Sequence, residues 1–410
     1  MFNPYSQFKR LYPKTIQLET IVVIFHMFRK TFFNEGRNMG DTSVSGGTIL
    51  LVFCILLNLW IIVRNKKVLR ISIKKTKWFF AYIILCGFSF MWAITGSRGF
   101  TSVLLKDIEI ATSYLVLSVI MIKIRDLNKC AIYIVYIMTI SALCGGIAQG
   151  FLHTNSYSFS AMLGFIVSLG LWKTYKIENM IYFICINALL LIVGTSSASY
   201  IATLCALFVL FSSNNKGINL FKAIIGSLFV YLIYEYGYDT IAPYIFYGHS
   251  QEAIEGGTGR YEIWGQFIDG WKKSPILGYG YVVGERNLSL MGGDEFIFSA
   301  HNGYISVLVN TGIIGSFIFL IFILKTIYRC LKYSQSINVK RHVAAICFAA
   351  FCGLLVNNMS YPALGSDWNY TFPPLMCLII FMNTFGYKKP EICMQHILTK
   401  HANKYSIIRN

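Results

Sequence analysis

The stretch "SAHNGYISVLVNTGIIGSFIFLIFIL", residues 299–324, joins a polar start to a long apolar run. From Gly303 to Leu324 it contains no charged side chain. About 20 mostly apolar residues are enough for a helix to cross the roughly 30 Å hydrocarbon core of a bilayer. The stretch therefore predicts a membrane-spanning helix that begins directly after His301 and Asn302.

The rest of the chain repeats this apolar pattern. Of its 410 residues, 55% are hydrophobic and only 13% are charged, whereas soluble domains carry about a quarter charged residues. Together the apolar segments predict an all-α polytopic membrane protein with about 11–12 transmembrane helices, forming a single membrane domain over residues 1–410. The eleven clear spans are residues 44–63, 78–96, 108–122, 130–151, 157–172, 179–194, 199–211, 218–236, 303–324, 342–361 and 370–386. A twelfth candidate, residues 16–28, either crosses the membrane or lies in its surface.

The Lys and Arg residues alternate along the chain in the way that sets membrane orientation. Seven basic residues and no acid lie from Arg64 to Lys77, whereas residues 237–300 contain eight acids and four bases. We therefore expect one large extracytoplasmic loop at 237–300 and a cytoplasmic tail at 387–410. The net charge of +18 is mainly this topology signal, so no nucleic-acid partner is expected.

Several function classes have no support in the sequence. Ion-coupled transporters need ionisable residues near the middle of the membrane, but Asp107, Glu109 and Glu235 fall at the ends of predicted spans. The chain contains no CxxC or HExxH motif and no phosphate-binding P-loop. We expect no metal, no cofactor and no direct use of ATP.

The predicted outer loop contains "GGTGRYEIWGQFIDGWKKSPILGYG", residues 256–280. Apolar residues recur at helical spacing from Arg260 to Trp271, which predicts a short surface helix that ends before Ser274 and Pro275. The first turn of a helix binds anions through free N–H groups, and an arginine there adds bidentate donors for phosphate. The alternative is that Arg260 anchors the helix at the membrane surface next to Trp264.

His301 is predicted to stand at the start of the next helix. The positive end of a helix dipole disfavours imidazolium, and a general base requires the neutral imidazole. The alternative for this His-Asn pair is an ordinary helix cap. The catalytic interpretation gains weight because Arg260 and His301 lie on the same predicted face of a chain that has few charges.

The residues "GR" with Trp264 four positions after Arg260, then "SPILGYG" and "HNGYISVLVNTGIIG", resemble the shared core of the O-antigen ligase and Wzy-type polymerase superfamily. The resemblance covers about residues 187–324. It implies a GT-C-like helical bundle that transfers glycans from undecaprenyl pyrophosphate without a metal. It also implies that Arg260 binds the pyrophosphate and that His301 is the catalytic histidine.

One position departs from the family pattern. Members commonly carry a Ser-Arg pair where this chain reads "VGTSSASYIATL", residues 193–204, which contains no arginine. Arg98 or Arg286 would then supply a second cation, although the first could be an interfacial arginine and the second a solvated loop charge. Further candidates for substrate binding or for lining the cavity are Trp264, Asn302, Tyr304, Asn357, Asn358 and Tyr361; the last three could instead form hydrogen bonds between helices.

The resulting hypothesis is a glycan polymerase at the outer face of the bacterial cytoplasmic membrane, an inverting glycosyltransferase that acts on undecaprenyl-pyrophosphate-linked repeat units of a capsule, exopolysaccharide or O-antigen. Its expected partners are the lipid-linked donor, a glycan acceptor and membrane lipid, with a flippase and a chain-length regulator as possible protein partners. The alternatives are ligase-type transfer to another acceptor and, from another class, a flippase for the same lipid-linked sugars.

Overall fold

The computed structural model describes most of the predicted membrane domain. The residues described are 14–32, 46–93, 97–150, 155–214, 217–218, 226, 260–281, 283–285, 288, 299–335, 340–364 and 372–385. Almost all of the predicted span 218–236, most of the predicted loop 237–300 and the predicted tail 387–410 lie outside these residues.

The described residues are helical throughout, apart from connections and one small antiparallel strand pair. A one-turn 3₁₀ helix, Ser89–Met91, continues α4. In chain order the elements are α1 (Lys14–Phe32), α2 (Gly46–Arg64), α3 (Lys66–Lys75), α4 (Lys77–Phe88), α5 (Ser97–Lys123), α6 (Leu127–Ala148), α7 (Asn155–Tyr175), α8 (Met180–Val193), α9 (Ser197–Ser212), β1 (Ser213–Asn214), β2 (Gly217–Ile218), α10 (Arg260–Trp271), α11 (Gly303–Ser334), α12 (Lys340–Asn357) and α13 (Phe372–Thr384).

The prediction of an all-α membrane protein is confirmed. Three helices are long and apolar enough to cross a membrane, namely the segments Gly47–Arg64, Leu127–Ala148 and Gly303–Ser334. Five shorter apolar helices accompany them among the described residues. The count of 11–12 spans stays a prediction. The basic segment between the first two predicted spans, interpreted from sequence as a loop, contains the amphipathic helix α3.

Helix α7 lies at the centre of the bundle and packs against α6, α8, α9 and α12. Small residues allow this close approach: a Cβ at Gly170 would lie 2.7 Å from Ile346 on α12, and one at Gly164 would lie 2.5 Å from Asn187 Oδ1 on α8. Asn187 in turn donates to Thr139 Oγ1 on α6 at 2.8 Å. Small residues and interhelical hydrogen bonds are the usual means of packing where lipid removes the hydrophobic driving force.

The first helix is part of the bundle. Helix α1 packs against α2, α5 and α6, and it runs antiparallel to α5. Lys123 Nζ lies 2.6 Å from Glu19 Oε1 near one end of this contact, and Arg29 lies 2.6 Å from Glu109 Oε1 near the other. This contact along both helices favours a spanning α1 over the surface-anchor alternative.

Glu109 does not lie at the end of its helix, so that part of the sequence interpretation is wrong. Helix α5 begins at Ser97, well before the predicted start at residue 108, and Glu109 lies near its middle with 1% of its side chain exposed. Buried charges in a low-dielectric interior require partners. Here Arg29 and His26 from α1 supply them, and no periodicity in the sequence shows this pairing.

Candidate active site

The candidate site lies at one end of the bundle, called here the site end, where α4 and α12 finish and α5 and α11 begin. The short helix α10 (Arg260–Trp271) packs there against α11, where the sequence predicted a helix that starts at Thr258–Gly259 and ends at Ser274–Pro275. Its residue Phe267 is buried in a small core with Tyr279, Ala300 and Val309. Arg260 thus occupies the first turn of a helix that is fixed to the start of α11.

Helix α11 is broken one-third of the way along. Gly312 has φ 62° and ψ −165°, so the chain leaves helical geometry there. An unbroken helix would join Ile313 N to Val309 O and Ile314 N to Asn310 O, because helical bonds run from residue i to i−4. The break therefore leaves two donors and two acceptors that need other partners.

The segment that follows α10, residues 275–280, supplies these partners. Ile313 N donates to Pro275 O at 2.9 Å and Ile314 N to Ile276 O at 3.3 Å. In the other direction, Tyr279 N and Gly280 N donate to the Val309 and Asn310 carbonyls at 2.9 and 3.0 Å. All four backbone groups of the break are satisfied, which couples the position of α10 to that of α11.

Two glycines make this contact possible. Gly278 has φ 67°, and a Cβ there would lie 2.4 Å from the Val309 carbonyl oxygen. A Cβ at Gly312 would lie 2.2 Å from the Ile276 carbonyl oxygen. Both positions combine a left-handed backbone with contact to rigid backbone atoms, so only glycine fits. The "SPILGYG" and "NTG" motifs are the two sides of one backbone joint.

The residues around His301 are held by several elements. Trp264 Nε1 on α10 donates to Ala300 O at 2.8 Å. Glu285 Oε1 accepts from Ala300 N at 3.4 Å and from the Ser306 hydroxyl. Gly303 N donates to Asn358 O at the end of α12 at 2.8 Å. His301 itself has φ 48°, a left-handed conformation that is uncommon for a non-glycine residue, and these neighbours hold it there.

Asn302 and Tyr304 are used to build the helix start. The Asn302 side chain accepts from Tyr304 N at 2.9 Å and from Ile305 N at 3.2 Å, so it is the N-cap of α11. The Tyr304 hydroxyl donates to Leu355 O on α12 at 2.8 Å. The cap alternative thus holds for Asn302, while substrate binding by Asn302, Tyr304 and Trp264 stays a prediction.

The electrostatics of the site link His301 to Arg260. Burial lowers the pKa of the His301 imidazole below its ordinary value, and the positive charge of Arg260 lowers it further. His301 nevertheless retains an exposed surface. No acidic side chain among the described residues pairs with either of them. The site therefore presents a neutral imidazole close to an arginine that has no acidic partner among the described residues.

Other predicted residues take different positions. Arg98 is the second residue of α5, and Arg286 follows Glu285 in the chain, but the side chain of the first and all of the second lie outside the described residues. Asn357 and Asn358 are fully buried. Asn357 donates to Ser199 Oγ on α9 at 3.0 Å, which is the interhelical hydrogen bond that the sequence left open as the alternative.

Two acidic residues of the predicted outer loop take different positions. Glu285 is half-buried between the chain before His301 and the first turns of α11, and its backbone N–H is bonded to Asn310 Oδ1 at 3.1 Å. Its contacts join segments that are far apart in sequence, and no local motif signals them. Asp269 is exposed and bonded to Lys272 at 2.7 Å.

Part of the chain matches a known protein family. Residues 144–320 match the family model described as O-antigen ligase. The matched region runs from the end of α6 into α11 and contains Arg260, His301 and both sides of the backbone joint. No curated protein sequence matches the chain. The family match indicates a glycosyltransferase-like enzyme in glycan processing of the ligase or polymerase type.

Proposed function

We propose, from the O-antigen ligase match over residues 144–320, that this protein is a glycan polymerase. It joins oligosaccharide repeat units carried on undecaprenyl pyrophosphate at the outer face of the bacterial cytoplasmic membrane. The observation that carries the proposal is the proximity of Arg260 and His301, with no acidic partner for either among the described residues. An arginine free to bind an anion next to a neutral imidazole suits transfer from a pyrophosphate to a hydroxyl.

Arg260 binds the pyrophosphate of the donor. Its guanidinium presents paired N–H donors that match phosphate oxygens. As the bond from the sugar carbon to the pyrophosphate oxygen breaks, negative charge grows on that oxygen, and a fixed cation stabilises it. A second cation, Arg98 or Arg286, completes the compensation, so the reaction needs neither metal nor cofactor.

His301 takes the proton of the acceptor. The acceptor hydroxyl oxygen attacks the anomeric carbon of the donor while its proton passes to the imidazole, and the bonding pair of the broken bond leaves with the pyrophosphate. One displacement of this kind inverts the anomeric carbon. The lowered pKa of His301 keeps the ring neutral and ready to accept a proton at physiological pH.

Ligase-type transfer to a different acceptor uses the same chemistry, and the description of the matched family names a ligase. A deletion strain separates the two. Loss of long surface chains with single repeats retained supports the polymerase, whereas long chains that remain on the lipid carrier support the ligase. Intact long chains on the surface would contradict both the polymerase and the ligase. Lipid-linked repeats that accumulate on the cytoplasmic side of the membrane would favour the flippase.

The proposed orientation has its own test. Lys272 follows α10 and Gln335 follows α11, and both are exposed. Single cysteines at these positions, in a background without reactive native cysteines, are treated with an impermeant thiol reagent on intact cells. We expect Lys272→Cys to be labelled and Gln335→Cys to be protected until the cells are opened. The reverse pattern would place the site in the cytoplasm and exclude the proposed donor.

A further inference from the structure

A separate cavity lies inside the bundle, among α4, α5, α11 and α13. Its polar lining comes from Tyr82, Cys86, Asp107 and Tyr281, and its walls include the aromatic rings of Phe79, Phe319 and Phe372. We call it the Asp107 cavity. Arg260 and His301 do not line it, whereas Tyr281, which directly follows the backbone joint, does.

Two buried polar atoms in this cavity have no hydrogen-bond partner among the described residues. One is Asp107 Oδ1, on a residue that is 8% exposed, and the other is the hydroxyl oxygen of Tyr82, which is 3% exposed. The two side chains interact electrostatically with each other and with Cys86, so they occupy one place. Buried polar groups are normally satisfied, and two unsatisfied groups in one cavity point to a ligand.

The backbone holds Asp107 at this place. Gly87 on α4 has no side chain, and a Cβ built there would lie 2.5 Å from Asp107 Oδ2. The glycine therefore leaves the space that the carboxyl group occupies. One oxygen faces α4, while Oδ1 has no protein partner among the described residues.

The charge of the cavity narrows the class of ligand. No described basic side chain pairs with Asp107, so the lining offers a carboxyl without a counter-ion. A buried carboxylate is costly unless a cation accompanies it. Aromatic rings attract cations through their negative faces, and ammonium groups are recognised in such surroundings.

We propose that the Asp107 cavity binds the ammonium group of a small amine. The ammonium donates to Asp107 Oδ1 and to the Tyr82 hydroxyl oxygen, and the aromatic walls surround its charge. The cavity volume of about 20 Å³ accommodates a group the size of a water molecule or an ammonium but no sugar ring. The amine is the unbranched aminoalkyl end of a lipid head group, because the amine of an amino sugar is attached to a ring that the cavity does not accommodate. This inference does not depend on the proposed glycan transfer.

Cys86 makes the cavity testable because its thiol lines the same space. Purified protein is treated with methyl methanethiosulfonate, and the modification of Cys86 is followed by peptide mass spectrometry. We expect n-butylamine at ten times its dissociation constant to slow the modification about tenfold, by simple occupancy. The uncharged isostere n-butanol should not slow it.

Variants distinguish the effect of the Asp107 charge from the effect of the cavity's shape. Asp107→Asn keeps the volume but removes the charge and should abolish protection by n-butylamine. Tyr82→Phe removes one acceptor and should weaken it. Tyr133→Phe is the matched control, because Tyr133 is a buried tyrosine that does not line the cavity and should leave protection unchanged.

The source of the amine follows from two further probes. Protection by ethanolamine but not by glucosamine supports a lipid head group, whereas protection by glucosamine but not by ethanolamine would overturn the proposal. Equal protection by n-butanol and n-butylamine, or protection that survives Asp107→Asn, would overturn the proposal. If Cys86 does not react, the same probes are compared by thermal unfolding, where an amine that raises the midpoint no more than the alcohol does would overturn it as well.

Discussion

Two arginine–histidine groups lie in different parts of this molecule. In the first, Arg29 and His26 on α1 share one carboxylate oxygen of Glu109, at 2.6 and 2.9 Å, and their side chains are 0% and 3% exposed. In the second, Arg260 and His301 interact with each other at the site end, but no acidic side chain among the described residues joins them. The same two residue types thus occur once with an acid and once without.

The difference distinguishes a group that stabilises the helix bundle from one that can bind a ligand. A buried arginine without a counter-ion would cost several kcal/mol, so Glu109 makes the first group neutral enough to pack. At the site end, an acid would compete with any anionic ligand for Arg260. Arg260, which has no acidic partner among the described residues, is the arginine proposed to bind the pyrophosphate. Ionisable residues inside the bundle therefore do not by themselves indicate transport, since the Glu109 group is compensated from within.

The largest effect is expected for His301→Ala. Removing a general base typically slows a reaction by about a hundredfold to ten-thousandfold. With purified protein and a synthetic lipid-linked repeat, transfer should fall within this range while donor binding stays near normal. His26→Ala is the matched control, because His26 is buried away from the candidate site. If donor binding collapses in His301→Ala, His301 is a binding residue and its assignment as base is wrong.

The next-largest effect is expected when the group of Arg29, His26 and Glu109 is broken. Glu109→Gln removes the carboxylate charge that Arg29 and His26 share, and breaking a buried pair costs about 3–5 kcal/mol. We expect a clearly lower midpoint of thermal unfolding and less folded protein in the membrane. Asp269→Asn is the control, since that acid is paired with Lys272 on the exposed surface and should change the midpoint little. Equal midpoints for the two variants would show that the Glu109 group is not important for stability.

A third effect concerns the uncompensated arginine. Arg260→Ala should slow transfer about a hundredfold to a thousandfold, as removal of one charge-stabilising donor does in other enzymes. Arg260→Lys should recover little, because lysine keeps the charge but loses the paired donors. Protein level and insertion should stay normal in both. Full activity of Arg260→Ala would mean that Arg260 only anchors α10 and takes no part in transfer. Arg98→Ala and Arg286→Ala, measured in parallel, identify the second cation.

Much of the fold follows from the sequence, because apolar runs and their flanking residues are local signals. The predicted segments at residues 130–151, 157–172 and 179–194 correspond to α6, α7 and α8 within a few residues. The failures occurred where polar residues continue a helix. Helix α5 begins at Ser97 and not at 108, and the basic segment before α4 forms the helix α3, because partners distant in sequence support both.

The residues of the candidate site come from sequence motifs, but its geometry does not. The "GR" and "HN" motifs predict Arg260 and His301 as site residues, and the structure places the two close enough to interact electrostatically. The predicted surface helix is present as α10, with its first described residue at Arg260. The break at Gly312 was missed, because a single glycine in an apolar run is normally tolerated in a membrane helix. Only the hydrogen bonds to residues 275–280 show why it is there, and these connect segments that are at least 30 positions apart in the chain.

The smallest expected effect is a shift in the pH profile of the transfer rate. It tests whether Arg260 and His301 act on each other. Burial is the larger cause of the lowered pKa of His301, and the charge of Arg260 is the smaller one. A base must be neutral, so the rate should fall as the pH drops through the pKa of the folded protein, which lies below the ordinary value of about 6.5.

Removing the Arg260 charge should raise the His301 pKa, so the acid limb of the residual activity of Arg260→Ala should move to higher pH. It should stop short of the ordinary imidazole value, because burial remains. Arg260→Lys keeps the charge and should leave the limb nearly in place, although its rate is low. A limb that moves equally in both variants would mean that the loss of geometry, and not of charge, changes the environment of the imidazole.

If the acid limb persists in His301→Ala, the base lies elsewhere. Glu285 is then the first carboxylate to examine, because it contacts the chain directly before His301. Asp269 and Glu262 are exposed on α10.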